Sequence, residues 1–80
     1  MSLDISALYE AHWGLVYGYL RNKMPAVDGG EVADVATRVL DRAVAAIEQG
    51  RYQDHGKGIE GWLLLIARRA VIDYFRLWRV

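Results

Sequence analysis

Ile59-Glu60-Gly61-Trp62-Leu63-Leu64-Leu65-Ile66-Ala67-Arg68-Arg69-Ala70-Val71-Ile72-Asp73-Tyr74-Phe75-Arg76 is the stretch on which the fold turns. Within it Ile59, Trp62, Leu63, Ile66, Ala70 and Tyr74 recur at steps that return to one face of a helix. Nothing in it alternates as a half-buried strand would. Arg69, Asp73 and Arg76 follow at i, i+4 and i+7 on another face of the same helix. The spacing predicts a helix over about 59–78 with an apolar core stripe and a basic side.

Working back from this helix, residues 51–58 mix two glycines with charge and one aromatic, Tyr52, and read as an ordered surface loop. Before the loop, Val32, Val35, Ala36, Val39, Leu40, Ala43 and Ile47 make a second stripe, predicting a helix over about 31–48. Gly50 stands where a left-handed residue ends such a helix. Residues 26–30, with paired glycines, read as a connection. Ile5, Leu8, His12, Leu15, Val16 and Tyr19 form a third stripe, predicting a helix over about 4–23. Asp4 is its expected N-cap, and Pro25 disfavours helix at Met24. Three amphipathic helices on short connections define an all-α, compact three-helix domain over residues 1–80.

Composition bounds the function. Eighty residues hold one core, and 54% apolar residues against 25% charged ones describe a chain that folds rather than a disordered tail. Cysteine is absent, which removes disulfides and thiolate metal sites and fits a reducing, cytoplasmic location. The longest apolar run, residues 62–67, is far below the ~20 residues needed to span a bilayer, and no signal-peptide pattern opens the chain. The formal net charge is zero. That zero conceals an asymmetry, because acids outnumber bases up to Glu48 while bases outnumber acids from Gln49 onward.

The residues point away from an enzyme. His12 lies on an apolar stripe, where it reads as a core or boundary histidine. His55 beside Asp54 reads as part of a solvated turn, and Gly56-Lys57-Gly58 lacks the spacing and following hydroxyl of a phosphate loop. No metal site or cofactor is expected. The last helix carries more information. Arg68, Arg69, Arg76 and Arg79, interleaved with Tyr74, Phe75 and Trp78, combine cations for phosphates with rings for bases. Taken alone, these residues also fit a solvated face in which Arg69 or Arg76 pairs with Asp73.

The run from Trp62 to Arg76 closely resembles the third-helix signature of bacterial RNA polymerase sigma factors of the extracytoplasmic-function type, in the sigma-70 family. There a tryptophan leads into an Ile-Ala-Arg-Asn run and then Asp-Tyr-Leu-Arg. Leu8-Tyr9 with Leu15-Val16-Tyr17 and Leu20 is similar to the first helix of the family's region two, and Glu31-Val32-Ala33-Asp34-Val35 falls at its acidic second-helix opening. The resemblance implies a transcription initiation domain that binds RNA polymerase core at the clamp helices of the largest subunit. It also implies that the domain recognises and melts the minus-ten promoter element, chiefly on the nontemplate strand.

Carried over position by position, the resemblance places Arg68, Arg69, Arg76 and Arg79 against DNA, with Tyr52 and Lys57 in the base-capturing loop. Trp62 fixes that loop to the helix. Asp34, Arg38 and Asp41 fall on the polymerase-facing side. The chain departs from the family pattern at Thr37-Arg38, where Gln-Glu is usual, and at Leu40, where an aromatic is usual, positions that the resemblance implies help to form the polymerase-facing surface, and at Arg69, where asparagine is usual. The Arg38 charge reversal would alter core affinity, and Arg69 would shift sequence preference. Family members carry a further helix-turn-helix domain, so the expectation is that residues 1–80 are one domain of a longer protein. An anti-sigma factor is a further implied partner. The alternative reading is a degenerate sigma-like interaction module that binds an anti-sigma factor or its own copy without binding DNA.

Overall fold

A computed structural model of the chain describes residues 5–52, 56 and 58–78; Asp4, residues 53–55, Lys57, Arg79 and Val80 lie outside them. Three helices, α1 (Ile5–Lys23), α2 (Gly29–Glu48) and α3 (Gly58–Trp78), follow in order, and each packs against the other two. The expected Asp4 cap and the Asp54–His55 pair therefore fall outside the described residues.

α1 ends where Pro25 requires. The Met24 amide still donates to the Leu20 carbonyl at 2.8 Å, and the Met24 side chain turns inward and is fully buried. α2 begins two residues earlier than its apolar stripe predicts. Asp28 stays extended (φ −56°, ψ 140°) and its carboxylate accepts from the Gly30 amide at 2.9 Å, so the glycines form the helix's first turn instead of a linker. At Gly29 the absent side chain has a tertiary reason: a Cβ there would lie 3.3 Å from the Tyr17 hydroxyl of α1.

The other end of α2 closes as the sequence predicts. Gly50 adopts φ 71°, its amide donates to the Ile47 carbonyl, and the Arg51 amide donates to the Ala46 carbonyl at 2.8 Å. These two bonds satisfy carbonyls that the helix leaves open, the pairing of a Schellman ending.

The core takes Val16, Leu20 and Met24 from α1 and its exit, Leu63 and Ala67 from α3, and six residues from α2, among them Val32, Val39 and Leu40. α2 is thus the element buried against both neighbours. The α3 stripe is less deeply placed than its periodicity implies, since Ile59, Trp62, Ile66, Ala70 and Tyr74 are only partly buried and pack around that centre. His12 is half-buried, in keeping with a boundary histidine. No described helix is long and apolar enough to cross a membrane.

Candidate nucleic-acid and polymerase interface

The loop leading into α3 is held at its described end by an aromatic contact. The Tyr52 and Trp62 rings meet edge to face, with centroids 4.5 Å apart and planes at 79°. Edge-to-face pairs of this kind add about 0.5–1.5 kcal/mol beyond the area they bury. Trp62 is on the first turns of α3, so the contact anchors the start of the loop to a rigid helix. Lys57 lies outside the described residues, and Gly56, inside them, takes φ 83°.

The arginines of α3 do not form a single row. Successive helix residues are turned by ~100°, which places Arg69 and Arg76 together on one flank and Arg68 well around the helix from them. Arg69 is tied to Asp73, Nε to Oδ1 at 3.3 Å, in an exposed i, i+4 ion pair. Arg76 borders the groove between α3 and α2. Arg68 is exposed on the side shared with Leu65, Ile72 and Phe75, three of the large apolar side chains that α3 leaves in solvent. Arg79 lies outside the described residues. The Tyr74 and Phe75 rings meet edge to face at 5.4 Å.

On α2, Asp34, Arg38 and Asp41 are all exposed, and the ridge they occupy divides between two neighbours. Asp41 accepts a hydrogen bond from the Tyr9 hydroxyl of α1. Arg38, on the same ridge about 60° around the helix from Asp41, lines the groove toward α3 together with Arg42. The exposed Thr37 hydroxyl donates back to the Ala33 carbonyl at 3.0 Å, a local bond that uses its one proton and leaves the oxygen able only to accept from outside. Leu40 is fully buried in the three-helix core. Its departure from the family's aromatic is therefore a matter of core packing, and the expectation that it shapes the polymerase-facing surface is corrected.

The α2–α3 groove has a volume of about 560 Å³. Val35, Val39, Ile66, Ala70 and Leu77 contribute its apolar lining, Arg38, Arg42 and Arg76 its cations, and Glu31, Asp73 and Tyr74 the remaining polar groups. The Tyr74 phenol is held above its ordinary value of 10.0, first by desolvation and then by its hydrogen bond to, and the negative charge of, Glu31. Arg42 is the residue that the sequence reading passed over. Its signal was available, because it repeats Arg38 one helical turn later on the polar side of the α2 stripe. Among the described residues no group of three or more His, Asp or Glu side chains is placed to hold a metal ion.

A three-helix domain with a tryptophan-anchored loop and an arginine-bearing third helix is the arrangement that the family resemblance implies. The family model described as Sigma-70 region 2 matches residues 8–79, nearly the whole chain. The chain belongs to the sigma-70 region 2 family, a class of non-enzymatic transcription-factor domains associated with binding of RNA polymerase core and opening of promoter DNA. No curated protein and no solved structure matches the chain.

Proposed function

We infer that this chain is the promoter-opening, polymerase-binding domain of an extracytoplasmic-function type sigma factor, acting in the cytoplasm on the nontemplate strand of the minus-ten element. The observation that carries the reading is the Tyr52–Trp62 contact within a chain matched along nearly its whole length by the family. Melting requires that an unstacked base be caught as it leaves the helix. A loop whose aromatic is braced on a rigid helix pre-organises that capture.

In this reading Tyr52 and Lys57 serve the captured base, while Arg68, Arg69, Arg76 and Arg79 neutralise phosphates along the strand. Asp34, Arg38 and Asp41 meet the clamp helices of the polymerase largest subunit. A chain of zero net charge releases few counterions, so the isolated domain binds DNA weakly and depends on the polymerase for avidity.

The test is anisotropy of a fluorescent single-stranded minus-ten-type oligonucleotide, together with capture of polymerase core, using the folded 80-residue chain. Binding to both supports the function. A folded chain that binds neither refutes it, and one that binds only an anti-sigma factor or itself supports the interaction-module alternative.

A further inference from the structure

Between the end of α2 and the braced ring of Tyr52 stands a cation that neither the DNA-facing nor the polymerase-facing set includes, Arg51. It is exposed, yet it is fixed at two points. Its amide donates to the Ala46 carbonyl at 2.8 Å, in the ending that Gly50 permits at φ 71°, and this sets the backbone. Its Nε–H donates to the Gln49 side-chain carbonyl at 2.8 Å, and this sets the guanidinium.

Gln49 is neutral, so the contact orients the arginine without opposing its charge. Among the described residues the N–H groups of both terminal nitrogens of Arg51 have no partner. The other held arginines differ: Arg69 is paired with the Asp73 carboxylate, and Arg21 donates to the Val27 backbone carbonyl. Arg51 is thus the described arginine that another side chain holds in place with its charge unopposed. A cation just past a helix also complements the helix dipole, and α2 has no basic residue in its last turn. That role needs neither an oriented fork nor a ring beside it.

We propose that Arg51 clamps the phosphate of the nucleotide whose base the loop captures, with Gln49 as its positioning residue; the proposal rests on the promoter-opening reading. Tyr52 is the next residue, its Cα about 3.8 Å away. Its ring is braced on Trp62, with centroids 4.5 Å apart. A base held against a ring keeps its phosphate within one nucleotide of that ring, so a cation and a ring at adjacent positions match the two halves of one nucleotide. The arginine fork meets two phosphate oxygens at once, and a guanidinium already held through Nε loses less freedom on binding. A protein carboxylate would fit the fork as well, but the ring beside it distinguishes a nucleotide.

The experiment is fluorescence anisotropy of the 80-residue chain with a single-stranded minus-ten-type oligonucleotide across a salt series. It is repeated with oligonucleotides in which one phosphate at a time is replaced by a neutral methylphosphonate. Arg51→Gln is expected to weaken the unmodified strand about tenfold at low salt. It should also lower the slope of log affinity against log salt by about 0.7, the value for one phosphate on a single strand. One methylphosphonate linkage should weaken binding to the wild-type chain and make no difference to Arg51→Gln. Gln49→Met, of similar length without the carbonyl, should weaken binding a few-fold with the slope unchanged, because the charge stays while its orientation is lost. Unchanged affinity and slope in Arg51→Gln, a methylphosphonate effect that persists in full in that variant, or wild-type binding by Gln49→Met overturns the proposal. So does a fall in the urea midpoint of Arg51→Gln with affinity and slope intact, which assigns Arg51 to the end of α2 alone. In each of these cases the wild-type chain still binds the strand and the promoter-opening reading stands. A wild-type chain that binds neither strand nor polymerase core defeats both.

Discussion

At the residue scale, the charged groups of α3 separate into those that hold one another and those that remain available. The Arg69–Asp73 pair is exposed and spans one helical turn, so it contributes only a few tenths of a kcal/mol to stability. Arg69→Ala is therefore expected to leave the denaturation midpoint nearly unchanged while weakening single-stranded DNA binding and flattening its salt dependence, read by anisotropy across a salt series. If both affinity and slope stay as they were, Arg69 is part of a solvated face. Tyr74 gives a second prediction. Its phenol is raised in the folded state, so its contribution to stability is complete below pH 10 and is lost as pH rises through the higher folded value. Tyr74→Phe should abolish that alkaline component, and an ultraviolet titration of the tyrosines should lose a step that lies above pH 10.

At the element scale, the ends of α2 depend on single residues. Asp28→Ala removes the carboxylate that accepts from Gly30, and should cost about 1 kcal/mol in urea unfolding, the usual loss for an N-cap. Gly50→Ala keeps the chain connectivity but forces a side chain into φ 71°, with an expected loss of about 1 kcal/mol. Both should leave the slope of the denaturant transition unchanged, and a loss below a few tenths in either would mean the helix end is held by other contacts. The Gly50 ending is readable from the residue that follows the last apolar position. The start at Gly29 is not, because paired glycines read as a break until Asp28 is seen to cap them and Tyr17 is seen to occupy the space a side chain would need.

At the scale of the whole molecule, α2 is the shared wall of the core, and its most buried large side chain is Leu40. Leu40→Ala should cost about 2–5 kcal/mol, a large fraction of the usual ~5–15 kcal/mol total for a domain. Circular dichroism melts would show it, and a loss under 1 kcal/mol would mean the core collapses into the cavity. The same scale explains why the site was only partly legible. Leu8, Val16, Val35, Val39 and Leu63 are core positions in sequence and in structure alike, because period alone selects one face of a helix. Leu20 and Met24 were missed at the end of the α1 stripe, while Leu40 is core as the α2 stripe predicts, against the surface role that the family comparison suggests for its position.

What the sequence alone determined about this protein is the set of three amphipathic helices, the Gly50 ending and the family, since each is written in local spacing or in a contiguous run of residues. The tertiary structure decided which side chains share a surface. Arg69 and Arg76 lie on one flank of α3, but that Arg76 meets Arg38 and Arg42 across a groove while Arg68 faces elsewhere depends on how α2 and α3 are rotated against each other. Helical period fixes the angle between residues within an element. Only packing, through the volume of residues such as Leu40, Leu63 and Ala67, fixes the angle between elements, and the groove between α2 and α3 exists because of that angle.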